Sequence, residues 1–141
     1  MIDKHIQENI KGLRSFLEYW IKFHGLYRDI IRKDLITTVD EEHFLESKNL
    51  ISNKYTELTN SFDFRYMPQN RLTDPVIEIL ALKNISAMSE ERIKKIEGDW
   101  NGSYIFLNNI LERMENKKRR LERFNPMGVF FKRLFERDKI L

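Results

Sequence analysis

The sequence predicts an all-α protein, an elongated bundle of four to five helices, two of them long, ending in a short basic amphipathic helix. Three observations carry this. Apolar residues recur at steps of three and four over most of the chain. Proline and glycine number only three and five in 141 residues, too few for a many-turned β-sandwich. Cap-like residues stand where each apolar run after the first begins. With 41% apolar residues there is enough for a single core, and a division into a bundle over 1–124 and a C-terminal amphipathic helix over 125–141 follows.

The first run steps through Ile6, Ile10, Leu13, Leu17, Trp20, His24, Tyr27 and Ile31, with Phe16, Phe23 and Ile30 beside it. That stripe is wider than a two-stranded coiled-coil seam, so residues 3–34 read as one long helix facing a bundle core. At ~1.5 Å per residue it spans about 45 Å, which makes the bundle elongated. Thr38 with Glu41 three residues later reads as a capping box opening a second helix. Phe44, Ile51, Tyr55, Leu58 and Phe62 carry this helix to about residue 61. Phe62, Phe64 and Tyr66 then alternate with polar residues, an extended arm packed on the bundle.

Asp74-Pro75 is a cap followed by proline at the first helical position, where a missing N–H costs nothing. Val76, Ile77, Leu80, Ile85 and Met88 form the stripe of the helix it opens. Ser89-Glu90-Glu91 opens another, and Ile93, Ile96, Trp100, Tyr104, Leu107, Leu111, Met114 and Leu121 hold one phase to about Arg123. Gly98 and Asn101-Gly102 interrupt that phase at ~1 kcal/mol per glycine, yet its continuity favours one helix over two. Asn125-Pro126 repeats the cap-plus-proline device before the C-terminal helix.

Several chemistries lack their usual carriers. There is no cysteine for a disulfide or thiolate metal site, and no Gly-rich phosphate loop, Gly-x-Ser-x-Gly elbow or His-Glu-x-x-His. Asp40-x-x-His43 has the spacing by which a carboxylate and an imidazole share a helix face, but it stands alone at a helix start, where acids are favoured by the dipole. No metal and no cofactor is therefore expected. His24 occupies a core step, which reads foremost as a half-buried imidazole bonded to a neighbour. With His43 it is the one candidate for an enzyme, the third-ranked reading. The N-terminus meets charge at Asp3 and Lys4 and no long apolar run follows, so a soluble cytoplasmic protein is expected.

The charge is unevenly placed. Residues 117–139 hold nine Lys/Arg against three acids, net +6, and the remainder is net −3. Lys117, Lys118, Arg119, Arg120, Arg123, Lys132, Arg133 and Arg137 are the candidates for contacting nucleic-acid phosphates. Phe130, Phe131, Leu134 and Phe135, with Phe64 and Tyr66 of the arm, are the candidates for a protein interface. The functional expectation is a non-enzymatic interaction module, a subunit or adaptor that binds another protein or a second copy of itself. Nucleic-acid binding ranks second, and a membrane surface is disfavoured.

Overall fold

The computed structural model describes residues 4–62 and 74–124. They form four helices and no strand: α1 (Lys4–Ile31), α2 (Thr38–Ser61), α3 (Pro75–Leu80) and α4 (Glu90–Phe124). The all-α class is as expected, and the two longest helices, α1 and α4, are ~42 and ~52 Å long at the standard rise. Segment 125–141, the fifth helix of the sequence reading, lies outside the described residues.

α1 is the central element. It packs on α2 and on α4, while α3 packs on α4 and touches α2, so the four helices form a ring of neighbours. Pairings along the helices give the directions. Phe23 meets Phe44 and Phe16 meets Tyr55, so α2 runs antiparallel to α1. His24 meets Tyr104 and Arg14 meets Glu115, so α4 is antiparallel to α1 as well. The core between them is almost wholly apolar. Leu13, Trp20, Tyr27, Phe44, Val76, Ile85, Trp100, Leu107 and Met114 are completely buried. On α1 the second apolar row, Phe16, Phe23 and Ile30, is buried as deeply as the first, whereas Leu17 and Ile31 pack only at the margin.

The predicted capping box is displaced by one residue. Thr37, with extended backbone (φ −86°, ψ 165°), caps α2: its hydroxyl accepts from the Asp40 amide at 3.2 Å, and the Asp40 carboxylate accepts from the Thr37 amide at 3.0 Å. Lys33 donates to the other Asp40 oxygen at 2.8 Å, and this tie follows the end of α1 at Ile31, three residues before the predicted end. The Lys33 hydrogen bond, helped by the Thr37 donors, holds the Asp40 carboxyl down at about 2. Since that lies below the ordinary 3.8, the stabilisation is complete above about pH 4 and fades as pH falls through about 2. Glu41, relieved of the capping role, accepts the Ile85 amide at 3.1 Å instead. Lys48 donates to the Leu82 carbonyl at 2.6 Å, so two α2 side chains satisfy the backbone of the α3–α4 connection.

α3 is shorter than predicted. Asp74 caps it through the Val76 amide at 2.9 Å, with Pro75 at the first position, but the helix ends after one and a half turns. Asn84 explains part of this: its side chain accepts from the Ser86 amide at 3.0 Å and the Ser86 hydroxyl at 2.8 Å, a local turn that competes with helical bonding. Ile85 is buried from this turn rather than from a helix, and Ile77 is half exposed.

α4 is one helix, started by the Ser89 hydroxyl accepting from the Arg92 amide at 3.2 Å. It runs unbroken through Gly98 and Asn101-Gly102 because Ile96, Trp100 and Ser103 bury before, between and after the glycines. Gly102 faces Pro75 of α3, 3.7 Å from where a Cβ would stand, while nothing lies within 4 Å of the same position on Gly98. Gly98→Ala should therefore raise stability by about 0.5–1 kcal/mol in urea unfolding. Gly12→Ala should not match it, because Leu58 Cδ1 sits 3.2 Å from the added methyl. A Gly98→Ala variant no more stable than Gly12→Ala would mean that α4 is not continuous there.

Candidate functional site

Two features stand out: a buried polar cluster between α1 and α4, and a groove along the outer seam of α1 and α2. The cluster centres on His24, 5% exposed. The imidazole stacks on Trp100 at 4.3 Å between centroids with planes 14° apart, and its Nδ1 lies 2.9 Å from the Tyr104 hydroxyl. Trp20 adjoins it, 4.7 Å from Trp100, donating its indole N–H to the Ser103 hydroxyl at 2.8 Å. Ser103 in turn donates to the Trp100 carbonyl. The sequence expectation of an imidazole bonded to a neighbour thus holds, with a partner 80 residues away.

The cluster is not fully satisfied. His24 Nε2, the Tyr27 hydroxyl and Trp100 Nε1 are buried without a hydrogen-bond partner. Burial, reinforced by the Arg28 charge and opposed by Glu97, pushes the His24 pKa below 6.5. Burial also pushes the Tyr27 phenol up to about 12, with Glu97 adding to the effect.

The groove follows from which α1 residues face outward beside α2. One section, about 290 Å³, lies between Gly12, Ser15 and Tyr19 of α1 and Lys54, Glu57 and Ser61 of α2. The next, about 150 Å³, continues from Tyr19 past Lys22 and Leu26, opposite Ser47 and Leu50. Tyr19 joins the sections, and Lys54 Nζ lies 4.3 Å over its ring. Tyr19 is 39% and Leu50 56% exposed, so large apolar surface lies open along this seam. From Gly12 to Leu26 the groove extends ~21 Å, four helical turns.

A third feature is a more polar cleft of about 630 Å³ between α3 and α4, lined by Glu78, Asp99, Glu91, Arg92 and Lys95. Burial, aided by Glu78 and opposed by Lys95, pushes the Asp99 carboxyl above its ordinary value. Its charges are mixed, and no group of three or more His, Asp or Glu among the described residues could hold a metal ion. Asp40 and His43 do not combine either, since Asp40 is bound to Thr37 and Lys33 while His43 is exposed.

Of the residues proposed for nucleic acid, Lys117 and Lys118 are half-buried on α4, and Arg119, Arg120 and Arg123 are exposed. At about 100° per residue Arg119, Arg123, Arg120 and Lys117 span an arc of about 160° and Lys118 lies on the far side, so the cations surround the helix end rather than forming one stripe. Arg119 is bonded to Asn116 at 2.8 Å. Lys132, Arg133 and Arg137 lie outside the described residues, as do the interface candidates Phe64, Tyr66, Phe130, Phe131, Leu134 and Phe135. The sequence reading missed Tyr19 and Leu50, which sit off the regular core stripes as single apolar residues.

The class is therefore a small all-α bundle, centred on α1, with a buried aromatic–histidine cluster and an open apolar seam. Among the described residues no helix is long and apolar enough to cross a membrane. No known family matches the sequence, and no curated protein or solved structure matches the chain.

Proposed function

We propose that this chain is a non-enzymatic, cytoplasmic interaction module, a subunit or adaptor that receives an amphipathic helix of a partner protein in the α1–α2 groove. The observation that carries the reading is the groove itself: four turns long, with Tyr19 and Leu50 open to solvent beside Phe23 and Ile51 of the core. Helix-in-groove recognition needs an apolar trough of this length between two helices. Lys22 and Lys54 line it against the single carboxylate Glu57, which favours a helix with acidic flanks. Neither the groove nor the α3–α4 cleft has His24 or His43 in its lining, which ranks the enzyme reading below this one.

Photo-crosslinking tests the proposal. A benzophenone amino acid at position 19 or 50, in the full chain inside cells, should crosslink to one protein species through a helical segment, and the same group at position 39 should not. Val39 is 71% exposed and outside the groove lining, so it controls for mere exposure. Crosslinks to another copy of the chain would identify the partner helix as its own. Equal crosslinking from all three positions, or none from 19 and 50, would overturn the reading. Leu50→Asp should abolish the crosslink from position 19 while changing stability by no more than about 0.5 kcal/mol, as befits a surface position.

A second reading is supported by the exposed guanidinium groups of Arg119, Arg120 and Arg123 at the end of α4, continuing into the basic residues 132–139. Here the chain would bind nucleic acid through phosphates. Its affinity for a generic duplex should then fall steeply with salt, and replacing Lys117, Lys118, Arg119 and Arg120 by alanine should weaken binding and flatten that slope. Salt-independent binding, or none, would remove it.

A further inference from the structure

We propose that His24 is an acid-operated latch between α1 and α4: a proton taken up from solvent leaves the buried ring with an N–H that has no acceptor, and α1 parts from α4 around Trp20 and Trp100. The geometry sets this up. One ring nitrogen faces the Tyr104 hydroxyl at 2.9 Å, and the other, Nε2, is buried without a partner. A neutral imidazole fits this arrangement with its proton on Nδ1, donated to the Tyr104 oxygen, and only a lone pair left at Nε2. The imidazolium must seat two N–H groups and a charge, and an unpaired buried charged donor is among the costliest defects a core can hold.

The surroundings act in both directions. On α1 itself Arg28 repels an added positive charge, and Tyr27 presents a buried hydroxyl without a partner. On α4, Glu97 attracts the charge, Tyr104 holds the first nitrogen, and the Trp100 face beneath the ring favours a cation. α2, the other helix packed on α1, reaches the cluster through Phe44, which stacks on Phe23 and tilts against Tyr27, and no α2 charge is among those acting on the ring. Burial and Arg28 outweigh Glu97, so the neutral ring is the form the fold selects.

The sign follows. The folded pKa lies below the ordinary 6.5, so the unfolded chain takes up the proton first. Stability is complete above about pH 6.5 and is lost as pH falls from there through the lowered folded value. Opening is local because the cost falls on the α1–α4 seam, whereas the Phe23–Phe44 stack that joins α1 to α2 carries no ionisable group.

Intrinsic fluorescence reads the event directly, because the only two tryptophans of the chain, Trp20 and Trp100, both lie in the cluster. Emission of the full chain should shift to the red on acidification below pH 6.5. The midpoint should coincide with the titration of the His24 ring seen by NMR. Arg28→Gln should raise the midpoint and Glu97→Gln should lower it, and His24→Phe should abolish the shift. If His24→Phe fails to fold, the opposite displacements by Arg28→Gln and Glu97→Gln carry the test. A ring that titrates without any red shift, a red shift that persists in His24→Phe, or a midpoint indifferent to both charge variants would each overturn the proposal.

Discussion

Trp100→Ala should lower the stability of the fold by about 3–5 kcal/mol, the range for deleting a fully buried large aromatic side chain. Trp100 has no exposed surface and meets rings from three successive turns of α1: Trp20 at 4.7 Å, Phe23 at 5.6 Å, His24 at 4.3 Å and Tyr27 at 5.8 Å. Removing it opens a cavity at the centre of the α1–α4 seam, which packing from a rigid 28-residue helix cannot fill by collapse. The more conservative pair discriminates further. Trp100 Nε1 has no hydrogen-bond partner, so Trp100→Phe loses only volume. Trp20→Phe additionally loses the indole bond to Ser103, about 1 kcal/mol more. Urea unfolding of the three variants checks this, and a loss under 1 kcal/mol for Trp100→Ala would show that α4 does not pack here as described.

The second large effect belongs to Asp74. Its carboxylate, 3% exposed, accepts from the Val76 amide at 2.9 Å and from the Tyr55 hydroxyl at 2.6 Å, and so joins the start of α3 to the far half of α2. Asp74→Ala removes a helix cap and the Tyr55–carboxylate hydrogen bond in one change, at about 2–4 kcal/mol. Asp74→Asn keeps one acceptor oxygen, enough to cap the Val76 amide, but turns an NH2 toward the Tyr55 hydroxyl, so it should recover the capping share of the loss and not the Tyr55 share. Because both partners share the same bond, Tyr55→Phe combined with Asp74→Ala should cost less than the sum of the single variants. Thermal or urea melts of this four-member cycle measure the coupling. Strict additivity would mean that the bond is absent in solution.

Much of the fold was legible from local chemistry. The α1 stripe, the Asp74-Pro75 start, the Ser89 start and the continuity of α4 through three breaker residues all follow from helical periodicity and capping, which involve residues no more than a few positions apart. Errors arose where two local signals compete. Thr37 with Asp40 and Thr38 with Glu41 are equivalent capping boxes in sequence; Thr37 takes the cap where Asp40 is also clasped by Lys33 and Glu41 bonds Ile85 across the bundle. The apolar run of 76–88 looked helical throughout, yet Asn84 turns the chain so that Ile85 meets the core from a loop.

The candidate sites divide in the same way. That His24 would be a bonded core histidine could be read from its step between Trp20 and Tyr27. That its partner is Tyr104, that Nε2 is left bare, and that Arg28 and Glu97 contend over its charge could not. Nor could the open seam at Tyr19 and Leu50, since an apolar residue off the main stripe belongs to a core or to a surface depending on what lies beside it.

By itself the sequence determined the helical class, the positions of four helices to within a few residues at most of their ends, and the faces that α1 and α4 bury. These depend on the 3.6-residue period and on caps, both set by near neighbours. Tertiary structure alone decided which side chains complete another element's backbone bonds and which polar atoms remain unpaired. Those outcomes depend on the relative rotation and slide of helices whose contacting residues are about 80 to 100 positions apart, as in His24 with Tyr104 and Arg14 with Glu115, and no local pattern encodes that placement.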